Sequence, residues 1–217
     1  ALGSLMPKET FFNLPDDKRS LICDVAIEEF TEYLYDQASV NRIVAKAGIA
    51  KGSFYQYFED KKDLYMYVLQ VIAEKKLEYI SPVMRNPYQH DIFTLLREVY
   101  LSGIQFAANH PDYAEIGTKL LQSKNSPIFD QVVDENLPAA NDMFEALLAR
   151  AVERGEIKAD TDVKLFAYMI SSMTAVVSSY YVENVATTYG DELMETVDKF
   201  LDFLKHGLGT DSSQLSR

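Results

Sequence analysis

An all-α fold is predicted by three observations. Apolar residues recur at spacings of three and four, not two, in nearly every segment. Helix-starting and helix-stopping residues bracket those segments. And 47% hydrophobic residues in a 217-residue chain are enough to bury a substantial core.

The elements follow in order. Ile22, Val25, Ala26 and Phe30 form the stripe of a first helix, opened by Pro15-Asp16. A short helix runs from Ser39 as N-cap to Ala47, with Gly48 as the left-handed stop. A third covers Lys51 to Phe58. Asp60 caps a long helix, KKDLYMYVLQVIAEKKLEYI, expected to continue until Asn86-Pro87 ends it by about Arg85. Asp91 opens the next, which stops before His110-Pro111, and Pro111 sits in the first turn of its successor. Ser126-Pro127 begins a stretch that takes in NDMFEALLARAVERGEI; Pro138 is expected to break or kink it and Gly155 to end it. A neutral helix follows from about Thr161. The last helix carries Leu193, Val197, Phe200, Leu201 and Leu204 on one face and ends at Gly207.

Three short helices thus precede a set of longer ones. The predicted organisation is a helix-turn-helix module over 6–66 and a larger helical body over 67–209. Residues 1–5 read as an expression-tag remnant before Met6, and 210–217 as a frayed tail.

Composition narrows the function classes. A single cysteine, Cys23, excludes a disulfide framework and a cysteine-only metal cluster, and suits a reducing cytoplasm. No stretch has the basic and apolar regions of a signal peptide. Leu165–Val182 is uncharged over 18 residues, the lower edge of a spanning length. Its five Ser and Thr and three Tyr point to a buried helix, so no membrane is expected. The net charge of −12 argues against nucleic acid in bulk. Its distribution argues the other way: Asn41–Lys62 carries five basic and two acidic residues, whereas residues 67–217 carry 13 basic and 22 acidic.

The informative stretch is SVNRIVAKAGIAKGSFYQYFEDKKDLY, Ser39 to Tyr65. Two short helices joined at Gly48 make a helix-turn-helix pattern. Phe54 and Phe58, four apart, point inward together. Gly52, Ser53 and Gln56 then lie outward, flanked by Tyr55 and Tyr57, with Lys51 at the exposed start. Gly52 lets the backbone approach a duplex closely, Gln56 can pair with adenine, and Lys51 can reach guanine acceptors. Ser53 and the tyrosine hydroxyls suit phosphates, and either tyrosine ring suits a thymine methyl. Ser39, Arg42 and Lys61 complete the expected DNA-binding set, Lys61 at a helix start that favours an anion.

These residues resemble the N-terminal domain of the TetR family of transcriptional regulators. The resemblance rests on Ala47-Gly48, then Gly52, Tyr55 and Phe58 as Gly-x-x-Tyr-x-x-Phe, then Lys61, within a segment from about Arg19 to Leu64. It departs from the family pattern at Leu34, where glycine is frequent, and at Ala50, where a serine cap is frequent; losing that cap costs about 1 kcal/mol. The resemblance implies a ligand-responsive, dimeric regulator, a repressor released from a palindromic operator by a small, partly apolar effector.

The body offers matching expectations. Ala167, Ser171, Ala175 and Ser179 recur every four residues, a small-residue stripe expected to face a second copy of the chain. Tyr100, Phe106, Tyr113, Phe144, Met169 and Met173 are candidate linings of an effector cavity. No cofactor or metal is expected. Two other classes compete. A small helical enzyme is disfavoured because no phosphate loop, nucleophile elbow or zinc motif is present and His90, His110 and His206 lie far apart. A helical ligand- or protein-binding module without DNA recognition is distinguished by salt-sensitive duplex binding.

Overall fold

Single residues at the helix ends decide where each helix starts and stops. The computed structural model describes residues 7–124, 126–185 and 191–206; within them, the side chains of Thr174, Ala175, Ser178, Ser179, Val182 and Asp191 are outside the description. The expected remnant 1–5, the Gly207 stop and the tail 210–217 also lie outside it. Among the described residues there are α-helices and two 3-10 turns but no strand: α1 (Glu9–Phe12), α2 (Asp16–Glu32), α3 (Val40–Lys46), α4 (Lys51–Tyr57), α5 (Lys61–Lys76), α6 (Pro82–Arg85), α7 (Ile92–Asn109), α8 (Pro111–Gln122), α9 (Pro127–Glu153), α10 (Val163–Asn184) and α11 (Asp191–His206).

The caps act as the sequence predicts at Asp60 and Asp91, whereas Ser39 precedes α3 without a side-chain cap bond. The Asp60 carboxylate accepts the Asp63 N–H at 2.9 Å, and Asp63 in return accepts the Glu59 N–H at 3.0 Å, a reciprocal box at the start of α5. Asp91 takes the N–H groups of Phe93 and Thr94 at 3.0 Å each. Asp162, which the sequence reading did not single out, caps α10 by accepting the Leu165 N–H at 3.1 Å. Gly48 and Gly155 stand at φ +65° and +70°, ending α3 and α9 in the region where a side chain is strained.

Two expectations are corrected. The helix from Lys61 stops at Lys76, well short of Arg85, and gives way to a 3-10 turn over Leu77–Tyr79 and then α6. The cause is Ser81-Pro82. Pro82 cannot continue a helix, and the Ser81 hydroxyl caps a new one by accepting the Met84 N–H at 3.3 Å. Conversely, of the break or kink expected at Pro138, the break does not occur: α9 runs through that residue. Proline removes one hydrogen bond there, and a 27-residue helix keeps the rest.

By packing, the chain divides into two units, one of the residues up to Glu78 with Asn109–Asn136, the other of Tyr79–Ala108 with Leu137 onward. In the first, α2 packs on α3, α5 and α8, and α1 packs on α4. Its fully buried side chains include Phe11, Ile22, Phe30, Ile43, Phe54, Phe58, Leu64 and Ile116. The α2 stripe of Ile22, Val25, Ala26 and Phe30 is buried throughout. In the second unit, Ile92, Leu96 and Tyr100 of α7, Phe144 and Leu148 of α9, Ala167, Ile170 and Tyr181 of α10, and Leu193, Val197 and Leu201 of α11 share one core. No helix among the described residues is long and apolar enough to cross a membrane.

Candidate nucleic-acid interface

The α3–α4 pair is built by its turn. Gly48 donates its N–H to the Ala45 carbonyl at 3.3 Å and Ile49 donates to Val44 at 3.0 Å, the paired bonds of a helix end reversed through a left-handed residue. Ala50 then starts α4 with no side-chain cap, as its identity requires. The turn after α2, made without glycine, has Tyr33 extended (φ −119°, ψ 146°) and the Leu34 carbonyl accepting from Gln37 and Ala38 at 2.9 and 3.0 Å.

On α4, Phe54 and Phe58 are fully buried, stacked obliquely with centroids 5.3 Å apart. Lys51, Gly52, Tyr55 and Gln56 are exposed and Ser53 is half-buried. Tyr55 is 45% exposed, unusual for a tyrosine beside a core. A Cβ added at Gly52 would meet nothing within 4 Å, so the fold itself has no need of glycine there. Lys51 makes no hydrogen bond or ion pair among the described residues. This face presents an ammonium, an amide and a phenol around a patch of bare backbone, the donor and acceptor types that read base edges in a major groove.

Other expected site residues are placed differently. Tyr57 does not flank the outward face; it is 8% exposed, packed toward Phe11 with ring centroids 6.3 Å apart. Arg42 lies over the Tyr33 ring at 4.1 Å and bonds the buried Glu29 carboxylate at 2.6 and 3.0 Å, as well as the Gln37 carbonyl at 2.8 Å. The hydrogen bond to Glu29 raises the Arg42 guanidinium above its usual range. Glu29 also accepts the Ser39 N–H at 2.7 Å, so Ser39 and Arg42 share one anchor on α2. Lys61 donates to the carbonyls of Tyr35 and Ala38 at 2.6 and 3.0 Å, and burial pushes its ammonium down. Lys46 pairs with Glu28. The local positive charge legible in the sequence is therefore partly internal bracing.

The sequence reading missed α1 altogether. Lys8 donates its backbone N–H to the Tyr57 carbonyl at 2.8 Å and its ammonium to the Tyr55 carbonyl at 2.9 Å, while also pairing with Glu59 at 2.9 Å. Thr10 donates to the Gln56 carbonyl. Three carbonyls that end α4 are thus satisfied from before α2, and Phe11 closes the hydrophobic side. The Phe11-Phe12 pair beside the acidic Glu9 was the available signal.

In the body, the six candidate effector residues are scattered. Tyr100 and Phe144 belong to the core of the second unit, and buried Phe106 meets Tyr79 edge-on at 5.5 Å. Met169 and Met173 are half-buried. Tyr113 stacks on His110 in the first unit, beside an open groove with Asp24, Glu28, Glu32 and Asp112. The second unit has a cleft that none of the six lines. The small-residue stripe starts on the buried side: Ala167 is fully buried, and half-buried Ser171 donates its hydroxyl to the Asn141 side chain. The side chains of Ala175 and Ser179 lie outside the described residues. Among the described side chains of α10, the exposed large apolar ones are Leu165, Phe166, Tyr168, Val176 and Tyr180.

Known proteins bear on this geometry. Residues 22–68 match the profile of the bacterial regulatory proteins of the tetR family, the stretch from mid α2 into α5. A fatty acid metabolism regulator protein of Bacillus subtilis is 27% identical over 150 residues, 69% of this chain and 75% of that one. The solved structure of a FadR transcriptional regulator from Bacillus subtilis, in complex with stearoyl-CoA, shares the fold at TM-score 0.65 and 23% identity over 88% of this chain and 99% of that one. A TetR family transcriptional regulator from Chloroflexus aurantiacus is 32% identical over 93% of this chain and 98% of its own, with a TM-score of 0.64. These relatives regulate transcription and are not enzymes. A left-handed Gly48 turn, an aromatic-backed α4 with a bare outward face, and whole-length similarity to a solved regulator together establish that the chain belongs to the TetR family of DNA-binding, ligand-responsive transcriptional regulators.

Proposed function

We propose that the chain acts in the cytoplasm as a dimeric repressor of a palindromic operator, and that a small, partly apolar effector releases it. The exposed set Lys51, Gly52, Tyr55 and Gln56 carries this reading. It is the part of α4 that the fold leaves unused, and its chemistry fits base edges. Ser53 lies at its margin. Ser39, Arg42 and Lys61 support it from behind by holding α3, the turn after α2 and the start of α5. The DNA-binding domain we assign is 6–66, and the effector and pairing domain 67–209.

A single module covers one half-site, so two copies are needed for a two-fold operator with half-site centres about 34–36 Å apart or a multiple of that. The exposed apolar face of α10, Tyr168, Val176 and Tyr180, is the surface we assign to pairing. Since the Bacillus subtilis FadR structure holds stearoyl-CoA, long-chain acyl thioesters are the effector class to try first.

Gel-shift titration over a range of salt tests the reading. Lys51→Ala and Gln56→Ala each weaken operator binding by about 1–3 kcal/mol while leaving thermal stability unchanged, and Lys51→Ala lowers the salt slope by about one. Equal affinity and slope in wild type and both variants would overturn DNA recognition through this face.

A further inference from the structure

We propose that the cleft of the second unit is a binding site for an amphipathic anion, an alkyl or acyl chain ending in a carboxylate or phosphate. The inference names a place and a head-group chemistry for the effector proposed above, and rests on that reading.

The cleft holds about 680 Å³, within the range of small-molecule sites. It opens between the start of α7, the Gly155–Thr161 loop, α10 and the end of α11. Its floor is apolar: Ile92, Leu96, Leu148 and Ile170 are each almost fully buried yet line it. Phe93, Ile157, Phe166 and Leu204 continue that apolar surface to the mouth.

The mouth has the opposite sign from the rest of the molecule. In a chain of net charge −12, Lys158 and Lys205 both line it there, with the His206 ring beside them. The acid on the wall, Glu156, is already engaged: one oxygen accepts the Ile92 N–H at 2.9 Å and the other lies 2.8 Å from the Arg154 guanidinium. Asp202 holds the His206 ring at 2.9 Å. Lys205 stands 5.5 Å from the centre of the Phe93 ring, at the boundary of the apolar and charged parts. Lys205 and His206 lie in the last turn of α11, where cations offset the carbonyl end of the helix. Lys158 has no such role. It is exposed, outside any helix, and its ammonium has no partner among the described residues. An apolar slot with an unengaged cation at its lip fits a chain with an acidic head, since a buried tail supplies affinity and a charge pair fixes orientation.

Equilibrium dialysis of the full chain with dodecanoate, dodecanoyl-CoA, dodecanol and dodecyltrimethylammonium, below their micelle concentrations, tests this. Lys158→Glu combined with Lys205→Glu should weaken the anionic ligands about tenfold, or ~1.4 kcal/mol. The alcohol and the cation should bind wild type at least as much more weakly. Binding of dodecanoate assigns the head to a free carboxylate, and binding of dodecanoyl-CoA alone assigns it to the nucleotide phosphates. The chain has no tryptophan, so Ile157→Trp places one fluorophore on the cleft wall, and its emission should shift on ligand binding. Unchanged affinity in the charge-reversed variant, equal binding of the alcohol, or an indole emission in Ile157→Trp that stays fixed under saturating ligand overturns the site. Operator release measured in parallel separates the two readings. Release from wild type and charge-reversed protein alike removes the cleft and keeps the effector. Cleft binding without release keeps the cleft as a lipid-anion site and removes the effector role.

Discussion

Helices α4 and α10 both set tyrosines beside small residues, yet their outward faces follow from different causes. In α4 the outward face of Lys51, Gly52, Tyr55 and Gln56 follows from seven residues between two local constraints, the left-handed Gly48 and the buried Phe54 and Phe58; Tyr57 alone is set by a distant contact, with Phe11. In α10, 22 residues carry little charge to mark a solvent side, and the face is chosen by the core they pack on. The stripe expected to face a second copy starts fully buried at Ala167, and the exposed apolar side chains described on α10 are instead Leu165, Phe166, Tyr168, Val176 and Tyr180. Short motifs are read from chemistry, long neutral helices from contact.

The largest expected effect probes the α4 side. Phe54→Ala removes a fully buried ring and should cost about 3–5 kcal/mol in chemical denaturation of the intact chain. A loss under about 1 kcal/mol would mean that α4 is not held by that ring. Next, two substitutions on α10 divide the faces. Ala167→Leu overpacks a fully buried site and should cost about 1–3 kcal/mol of stability. Val176→Glu, at a side chain 62% exposed, should leave the melting temperature of the monomer alone and shift the sedimentation profile toward one chain. The reverse pattern would restore the small-residue stripe as the pairing face.

Gly52→Ala sharpens the α4 reading at smaller scale. No contact opposes the added methyl, and alanine favours a helix, so stability should rise by a few tenths of a kcal/mol to about 1 kcal/mol. Operator affinity should fall in the same protein; a rise in both would show that no duplex approaches Gly52. The smallest effect concerns Cys23. Burial, with help from the Asp24 charge, pushes its thiol up to about 11. The thiolate is the reactive form, so alkylation of the native chain at about pH 8 should be slow and accelerate about tenfold per pH unit below that value. Rapid labelling at that pH would show that α2 opens or that Cys23 is not held as described.

The helix boundaries of both units were largely legible because their signals are local. Asp60 and Asp91 cap as their side-chain chemistry dictates, and Gly48 and Gly155 stop helices because few other residues tolerate their φ. Ser81 carried the same kind of signal and was obscured by an apolar run that continued past it. Tyr57 was not legible. Its burial depends on Phe11, 46 positions earlier, and spacing within α4 gives no hint of a ring arriving from outside. Arg42 and Lys61 show the same limit: a cation near a recognition helix looks available until Glu29 and the carbonyls of Tyr35 and Ala38 are placed beside it.

By itself the sequence determined the helical class, most helix boundaries, the turn at Gly48 and the outward face of Lys51, Gly52, Tyr55 and Gln56, because each depends on the backbone preference or spacing of a few neighbouring residues. Only the tertiary structure decided which cations are engaged internally, which side of α10 is exposed, and that Ile92, Leu148, Lys158, Ile170 and Lys205 meet at one cleft. Those outcomes depend on side chains distant in sequence competing for the same space and the same partners, and no period along the chain encodes that competition.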